Sequence, residues 1–274
     1  MNQSVGEAVD QDYLLSRQYR DSKKLEARAN LHRKYGQSGG NWFEWIGRHA
    51  QLAEGMRVLD IGCGPGWLWD EGRSAFPANL DLTLADLSPG MVDQAVERAR
   101  ATGYYRRVDG QVVHATALPF ADDSFDAVLA CHMLYHVPDA RAALTEFRRV
   151  LRPGGVIVVT TNLEGNMGPF YALGAAAFGG TASDPAADIF GLRRATDLVG
   201  QVFENVQTHE SPGELRVTDA ADLVLALTSF PPGDDADDSA VSRLLGLVEA
   251  ALSEGGGAIV IPKTQGMVRA SKQV

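Results

Sequence analysis

The chain has 274 residues, 45% apolar and 22% charged, the make-up of an ordinary globular protein with room for one large α/β domain or two smaller ones. Its 29 Gly and 12 Pro predict many turns but exclude a collagenous or low-complexity chain. Lys+Arg 25 against Asp+Glu 35 gives a net charge of −10, which repels phosphate backbones and anionic lipid headgroups, so neither nucleic acid nor a membrane surface is expected as a partner.

The two cysteines, Cys63 and Cys131, are too few for a disulfide framework or a multi-cysteine zinc site, and the chain reads as cytoplasmic. Met1 to Asp12 has neither a basic nor an apolar run of the kind a signal peptide needs. The longest apolar runs, Asp126 to Val137 and Tyr171 to Phe178, fall short of the ~20 residues that span a bilayer.

In chain order, a helix is predicted over 11–35, with a basic excess from Arg17 to Lys34 that reads as a solvated face, an anion-binding face being the alternative. Gly36 to Gly40 breaks it, and Asn41 caps a second helix carrying Trp42, Trp45, Ile46 and Leu52. Arg57 to Ile61 is a short buried strand that runs into a Gly-rich turn and a helix. Leu80 to Asp86 is a second strand, after which Ser88 and Pro89 start a helix through Arg100. Gln111 to Ala115 and Asp126 to Cys131 are the third and fourth strands. Asp139 caps the next helix, stopped by Pro153-Gly154-Gly155, and Val156 to Thr161 is the fifth strand.

Strands at Glu214 to Val217 and Ala258 to Ala270 close the series, with helices near Ala220 to Leu227 and Val241 to Leu252 between them. The acids Asp234, Asp235, Asp237 and Asp238 lack the spacing of a calcium loop and read as solvated. The alternation of strand and helix implies right-handed crossovers. The expected fold is α/β, a Rossmann-like, doubly wound, mostly parallel seven-stranded sheet. Its expected divisions are an N-terminal helical segment over 1–55 covering the site and a main domain over 56–274 with an inserted lid at 163–202, where ligands of open α/β sheets bind.

The sharpest motif is Val58 to Gly66, a strand entering glycines at 62, 64 and 66. A dinucleotide turn reads G-x-G-x-x-G, whereas here Trp67 stands three past Gly64, and Pro65 and Trp67 crowd a pyrophosphate. Asp86 follows Gly66 by twenty residues, the spacing at which a carboxylate accepts ribose hydroxyls. Capping of the turn by Asp60 and of the next helix by Asp86 is the structural alternative.

With these residues the sequence resembles the class I S-adenosylmethionine-dependent methyltransferases, especially the ubiquinone/menaquinone-biosynthesis-like subgroup called the type 11 methyltransferase domain. The resemblance runs from Arg57 to Thr161. It takes in Val58 to Gly66, Leu84 to Met91, Leu118-Pro119-Phe120 with Ser124-Phe125-Asp126, and Arg149 to Gly155.

The resemblance implies S-adenosyl-L-methionine as cofactor and S-adenosyl-L-homocysteine as product. It places Gly62 and Gly64 against the methionine moiety, Asp60 at its ammonium, Asp86 at the ribose, and Leu87 and Met91 beside adenine. Thr116 and Ala117 supply backbone contacts, and His114 stands where the family commonly has an acid. Cys63 and Cys131 are placed along the cofactor as small packing residues, since direct methyl transfer needs no enzyme nucleophile. Tyr19, Tyr35 and Trp42 close over the cofactor, with core or lid packing as the alternative for each.

After the fourth strand come the catalytic candidates, His132 expected to face the cofactor and His136 the acceptor, from which an imidazole can take a proton; a hydrogen bond to a loop carbonyl is the structural alternative for each. Their spacing matches a helical metal pair, but no Glu lies between them and no third ligand is evident, so no metal is expected. The reading is a methyltransferase, monomer or homodimer, acting at O, N or C of a small, partly apolar acceptor. The alternatives are a same-fold protein catalysing a non-methylating cyclisation or rearrangement, and a non-enzymatic cofactor-binding protein.

Overall fold

The computed structural model describes Asp10, Tyr13, Leu14, and residues 22–37 and 40–274. Tyr19, Arg17, Arg20 and the start of the helix predicted over 11–35 lie outside the described residues, as does most of the Met1 to Asp12 stretch. Within the described residues the chain runs α1 (Lys23–Tyr35), α2 (Trp42–Ala50), β1 (Arg57–Ile61), α3 (Trp67–Glu71), β2 (Asp81–Asp86), α4 (Pro89–Ala101), β3 (Arg107–Val112), β4 (Phe125–Cys131) and α5 (Ala140–Val150). It continues through β5 (Leu151–Asn162), α6 (Gly168–Phe178), α7 (Pro185–Phe190), α8 (Leu192–Gly200), β6 (Glu204–Val217), α9 (Ala220–Leu227), α10 (Asp238–Glu254) and β7 (Ile259–Ser271).

The seven strands form one sheet in the order β3-β2-β1-β4-β5-β7-β6. β1 pairs with β2 and β4, β2 with β3, and β4 with β5, all in parallel. The antiparallel exception is β7, whose Lys272 exchanges backbone hydrogen bonds with Gly154 and Gly155 at the start of β5. The strand order reverses between β1 and β4, so the crevice at their carboxyl ends is the topological switch point where open α/β sheets bind ligands.

Local chemistry sets the helix starts. Asn41 accepts from the Phe43 amide, Ser88 from Met91, and Asp139 from Ala142, as the cap residues predicted. Two strands differ from expectation because both lie at sheet edges. β3 begins at Arg107 and buries only Val108, and β6 begins ten residues before Glu214 with a mostly exposed polar run. Edge strands need no continuous apolar pattern, so the sequence carries little signal for them.

The chain forms two compact units. One comprises the described residues up to 37, Leu163–Ile189 and Ser211–Gln265, around Leu31, Tyr35, Phe170, Leu223, Leu244 and Ile261. It contains a cavity of about 220 Å³ walled in part by Tyr171, Phe178 and Phe230. The other comprises Gly39–Asn162, Phe190–Glu210 and Gly266–Val274, around Ile46, Val58, Trp69, Leu82, Leu129 and Val158. Residues 1–55 are therefore divided, α1 falling in the first unit and α2 in the second, where Ile46 and Ala50 join the sheet core. Residues 163–202 divide between 189 and 190. Among the described residues no helix is long and apolar enough to cross a membrane.

Candidate functional site

The loop leaving β1 is built on left-handed backbone at Gly62 (φ 71°) and Gly64 (φ 52°). At Gly62 a side chain would collide with Met133, whose Cβ lies 2.6 Å from the position a Cβ would take. At Gly64 nothing lies within 4 Å of that position, so this side of the turn is open. Glycine at 62 serves packing and at 64 leaves room for close approach of a ligand.

The loop amides are already used. Gly62 and Cys63 both donate to the Ala85 carbonyl (2.8 and 3.0 Å), Gly64 donates to Asp86 Oδ2 (3.0 Å) and Gly66 to the Cys63 carbonyl (3.1 Å). Pro65 has no N–H. A phosphate-binding turn turns such donors toward its ligand; this one spends them on the protein, a second reason beyond the glycine spacing that a pyrophosphate does not fit.

Two carboxylates end the flanking strands. Asp60, on β1, is 2% exposed. Its Oδ2 accepts the Trp69 indole N–H at 2.7 Å, and its Oδ1 has no hydrogen-bond partner. Burial raises its pKa to about 7, the Trp69 bond opposing the rise and the nearby Asp86 charge adding to it. A buried acceptor left unpaired costs about 1–3 kcal/mol, so Asp60 Oδ1 is suited to accept from a donor, best a cationic one. Asp86, ending β2, accepts from Gly64 at Oδ2 and from Ser88 at Oδ1 (2.9 Å). Burial lifts its pKa as well, against the hydrogen bonds from Ser88, Gly64 and Leu87. Each oxygen keeps a second lone pair with which to meet a hydroxyl.

Beyond β2, Leu87 is half-buried, whereas Met91 is 1% exposed and packed into the core. Leu87 is thus the more accessible of the two residues expected beside adenine. His114 and Ala117 form an isolated bridge, the Ala117 amide donating to the His114 carbonyl at 3.0 Å, with Thr116 half-buried between them. Cys63 is buried and Cys131 half-buried, and burial pushes both thiols up, so neither is a ready nucleophile.

At the end of β4, His132 adopts φ 52° and its amide donates to the Thr160 carbonyl at 3.0 Å. Its ring lies 5.7 Å from that of Trp42, which stacks on Trp45 at 5.0 Å. Its ring also lies 6.4 Å from that of Tyr135, which His136 meets edge-on at 4.5 Å. His136 lies in the short 3₁₀ turn Leu134–His136 and His132 precedes it, so the pair does not share a helical face. Among the described residues no group of three or more His, Cys, Asp and Glu is placed to hold a metal ion.

The second unit thus gathers Asp60, Gly62, Cys63, Gly64, Asp86, Cys131, His132, His136 and Trp42 at the carboxyl ends of β1, β2 and β4 or packed beside them. Tyr35 belongs to the first unit, buried, its hydroxyl donating to Asp222 at 2.6 Å. The residues sequence reasoning missed are Trp69, which orients Asp60, and Met133, which packs under Gly62. An indole three residues past a glycine turn, with a buried acid at the end of the preceding strand, was the available signal for the first.

Residues 59–159 match the methyltransferase-domain family. The chain is 33% identical over 127 residues to the methyltransferase GfsG of Streptomyces halstedii, covering 45% of this chain and 44% of that protein. It is 32% identical over 119 residues to the ubiquinone/menaquinone biosynthesis C-methyltransferase of Geotalea daltonii, covering 43% and 51%. It spans about half the length of these curated relatives. Among solved structures, the fold is similar to phosphoethanolamine N-methyltransferase 2 of Haemonchus contortus in complex with S-adenosylhomocysteine, with TM-score 0.58 and 20% identity over 96% of this chain and 60% of that one. Residues 59–159 therefore carry the chain's similarity to the methyltransferase-domain family and to the ubiquinone/menaquinone biosynthesis C-methyltransferase.

Proposed function

We propose that this chain binds S-adenosylmethionine at the switch-point crevice and transfers its methyl group to O, N or C of a small, partly apolar acceptor. The observation that carries the reading is the glycine loop with no free amide beside a buried carboxylate with an unpaired oxygen. That combination suits a ligand with a cationic end and no phosphate. Asp60 would receive the ammonium, Gly62 and Gly64 would flank the methionine chain, Asp86 would accept the ribose hydroxyls, and Leu87 would lie against adenine. When bound, the cofactor would supply an activated methyl group on sulfur for an in-line displacement by the acceptor.

The protein's contribution is alignment of the acceptor in a dry site and, where the acceptor must lose a proton, a base. We assign that base to His136, whose ring meets Tyr135, with His132 and then Trp42 following Tyr135 in a series of ring contacts. The stretch 163–202, with Phe170, Tyr171, Phe178 and Phe190, is expected to lose amide exchange when S-adenosylhomocysteine and acceptor are bound together.

The test is incubation with methyl-labelled S-adenosylmethionine and a chemically diverse metabolite mixture, with mass detection of label. Label in an acceptor, matched by release of S-adenosylhomocysteine, supports the reading. A product transformed without gain of label would establish the cyclisation or rearrangement alternative. Tight cofactor binding with no transformation over a broad acceptor panel would establish a non-enzymatic binding role.

A further inference from the structure

Trp69 is 0% exposed and is held on several sides. Its ring lies 4.8 Å from Phe76 and 5.6 Å edge-on from Tyr105, and the Tyr105 hydroxyl donates to the Trp69 carbonyl at 2.7 Å. The indole N–H that meets Asp60 therefore has a fixed origin and direction. Rotation of the carboxyl would give up that bond inside the core, where an unmade hydrogen bond is costly.

We propose that Trp69 is a positioning residue for the cofactor: its indole N–H fixes one oxygen of Asp60 and leaves the other to accept from the cationic amino group of S-adenosylmethionine. This rests on the cofactor reading above. The groups facing Asp60 are Trp69 from α3, Asp86 from β2, Cys63 from the loop and Cys131 from β4. None of these is cationic and burial keeps both thiols protonated, so among the described residues no cation is shown to stabilise an Asp60 carboxylate, and we assign that role to the ligand.

In the free protein the Asp60 carboxyl titrates at about 7, with Trp69 favouring the ionised form. Below that pH, binding an ammonium turns the neutral acid into a carboxylate paired with the ligand, and the O–H proton leaves to solvent. No other bond is made or broken, and charge balances with one proton released. Cofactor binding is thereby coupled to pH through Asp60, and the midpoint of that coupling is tuned by Trp69, which does not itself touch the cofactor.

The experiment is titration calorimetry with S-adenosylhomocysteine, which keeps the amino group, in buffers of different ionisation enthalpy. Wild type is expected to release close to one proton at about pH 6 and little at about pH 8.5, its affinity falling up to about tenfold per pH unit below neutrality. Trp69→Phe keeps the ring and removes the donor, so the fall begins at higher pH and binding at neutral pH weakens about tenfold. Asp60→Asn abolishes the proton release. In the unsubstituted protein the Trp69 indole proton resonance is expected to titrate with Asp60, and to be flat in Asp60→Asn, so a poorly folded Trp69 variant leaves the proposal testable. Binding without proton release at about pH 6, a flat indole resonance in wild type, or a uniform affinity loss in Trp69→Phe with an unmoved pH midpoint overturns the proposal and leaves the cofactor reading standing. Failure of wild type to bind S-adenosylhomocysteine at any pH tested overturns both.

Discussion

The imidazole of His132 lies against the Trp42 indole at 5.7 Å and 59°, on a backbone held at φ 52°. A left-handed non-glycine residue costs roughly 1–2 kcal/mol, and strain of this kind concentrates at functional positions. The geometry delivers the ring at the end of β4 toward α2, where an extended backbone would carry it elsewhere. His132→Asn is expected to leave the melting temperature unchanged or slightly higher, because Asn tolerates this region, while turnover falls. Melting curves and single-acceptor kinetics check it: a clear loss of stability with normal turnover would make the imidazole a structural group.

Asp60 also gives the ligand-free protein a pH signature. Its carboxyl titrates at about 7 when folded against 3.8 in the free side chain, so between these values the folded state binds more protons than the unfolded state. The stabilisation is fully present below the unfolded value and is lost as pH rises through the folded one, at up to about 1.4 kcal/mol per pH unit. Asp86, also raised, acts in the same direction. Without ligand the melting temperature is expected to fall as pH rises from about 5 to 8, and Asp60→Asn to flatten most of that slope. Parallel slopes in the two proteins would count against a buried, protonated Asp60.

The loop glycines separate packing from binding. Gly62→Ala meets Met133 and a positive φ, so stability is expected to drop by about 2 kcal/mol or more. Gly64→Ala meets open space, so only the backbone penalty of about 1 kcal/mol applies. Both should bind S-adenosylhomocysteine poorly, Gly64→Ala while still well folded. Full affinity in Gly64→Ala would show that no ligand approaches that face.

The strand, turn and helix series around Gly62 to Gly66 and the caps at Asn41, Ser88 and Asp139 were legible because each depends on residues within four positions of one another. Apolar runs marked β1, β2, β4 and the core of β5, since both faces of those strands are covered. The edges β3 and β6 were misplaced because their burial pattern is nearly that of a loop. The Asp60 to Trp69 bond crosses nine positions and a reversal of chain direction, and Tyr35 meets Asp222 across 187. The first left a weak local signal in the indole just past the glycine turn; the second depends on tertiary placement, which spacing does not encode. The φ of His132 likewise follows from the turn between β4 and the 3₁₀ segment, with no glycine to announce it.

Asp86 holds two backbone amides as well as its expected ribose contact, so its loss acts twice. Asp86→Ala removes charge-assisted bonds worth about 1.5–3 kcal/mol each and frees the Gly64 amide. Cofactor affinity is expected to fall at least tenfold, and amide exchange at Gly64 and Ser88 to accelerate. Unchanged affinity in a folded variant would remove Asp86 from the binding site.

His136 raises a separate pH question, and the two acidic limbs can be told apart. Asp60 makes cofactor affinity fall at low pH, which saturating S-adenosylmethionine overcomes. A general base acts after binding, so its protonation lowers kcat even at saturation. If His136 is that base, His136→Asn should lower kcat by roughly 10²–10⁴ and erase the acidic limb of the kcat profile, with S-adenosylhomocysteine affinity near wild type. If it only positions the acceptor, KM rises and the limb survives. If its T-shaped contact with Tyr135 is structural, the melting temperature falls and the folded fraction turns over normally. The acceptor decides how strong the limb can be: a phenol or enol must lose its proton before or during attack, so the base matters most there. An amine that enters the dry site already neutral needs only alignment, and with such an acceptor His136→Asn should cost little.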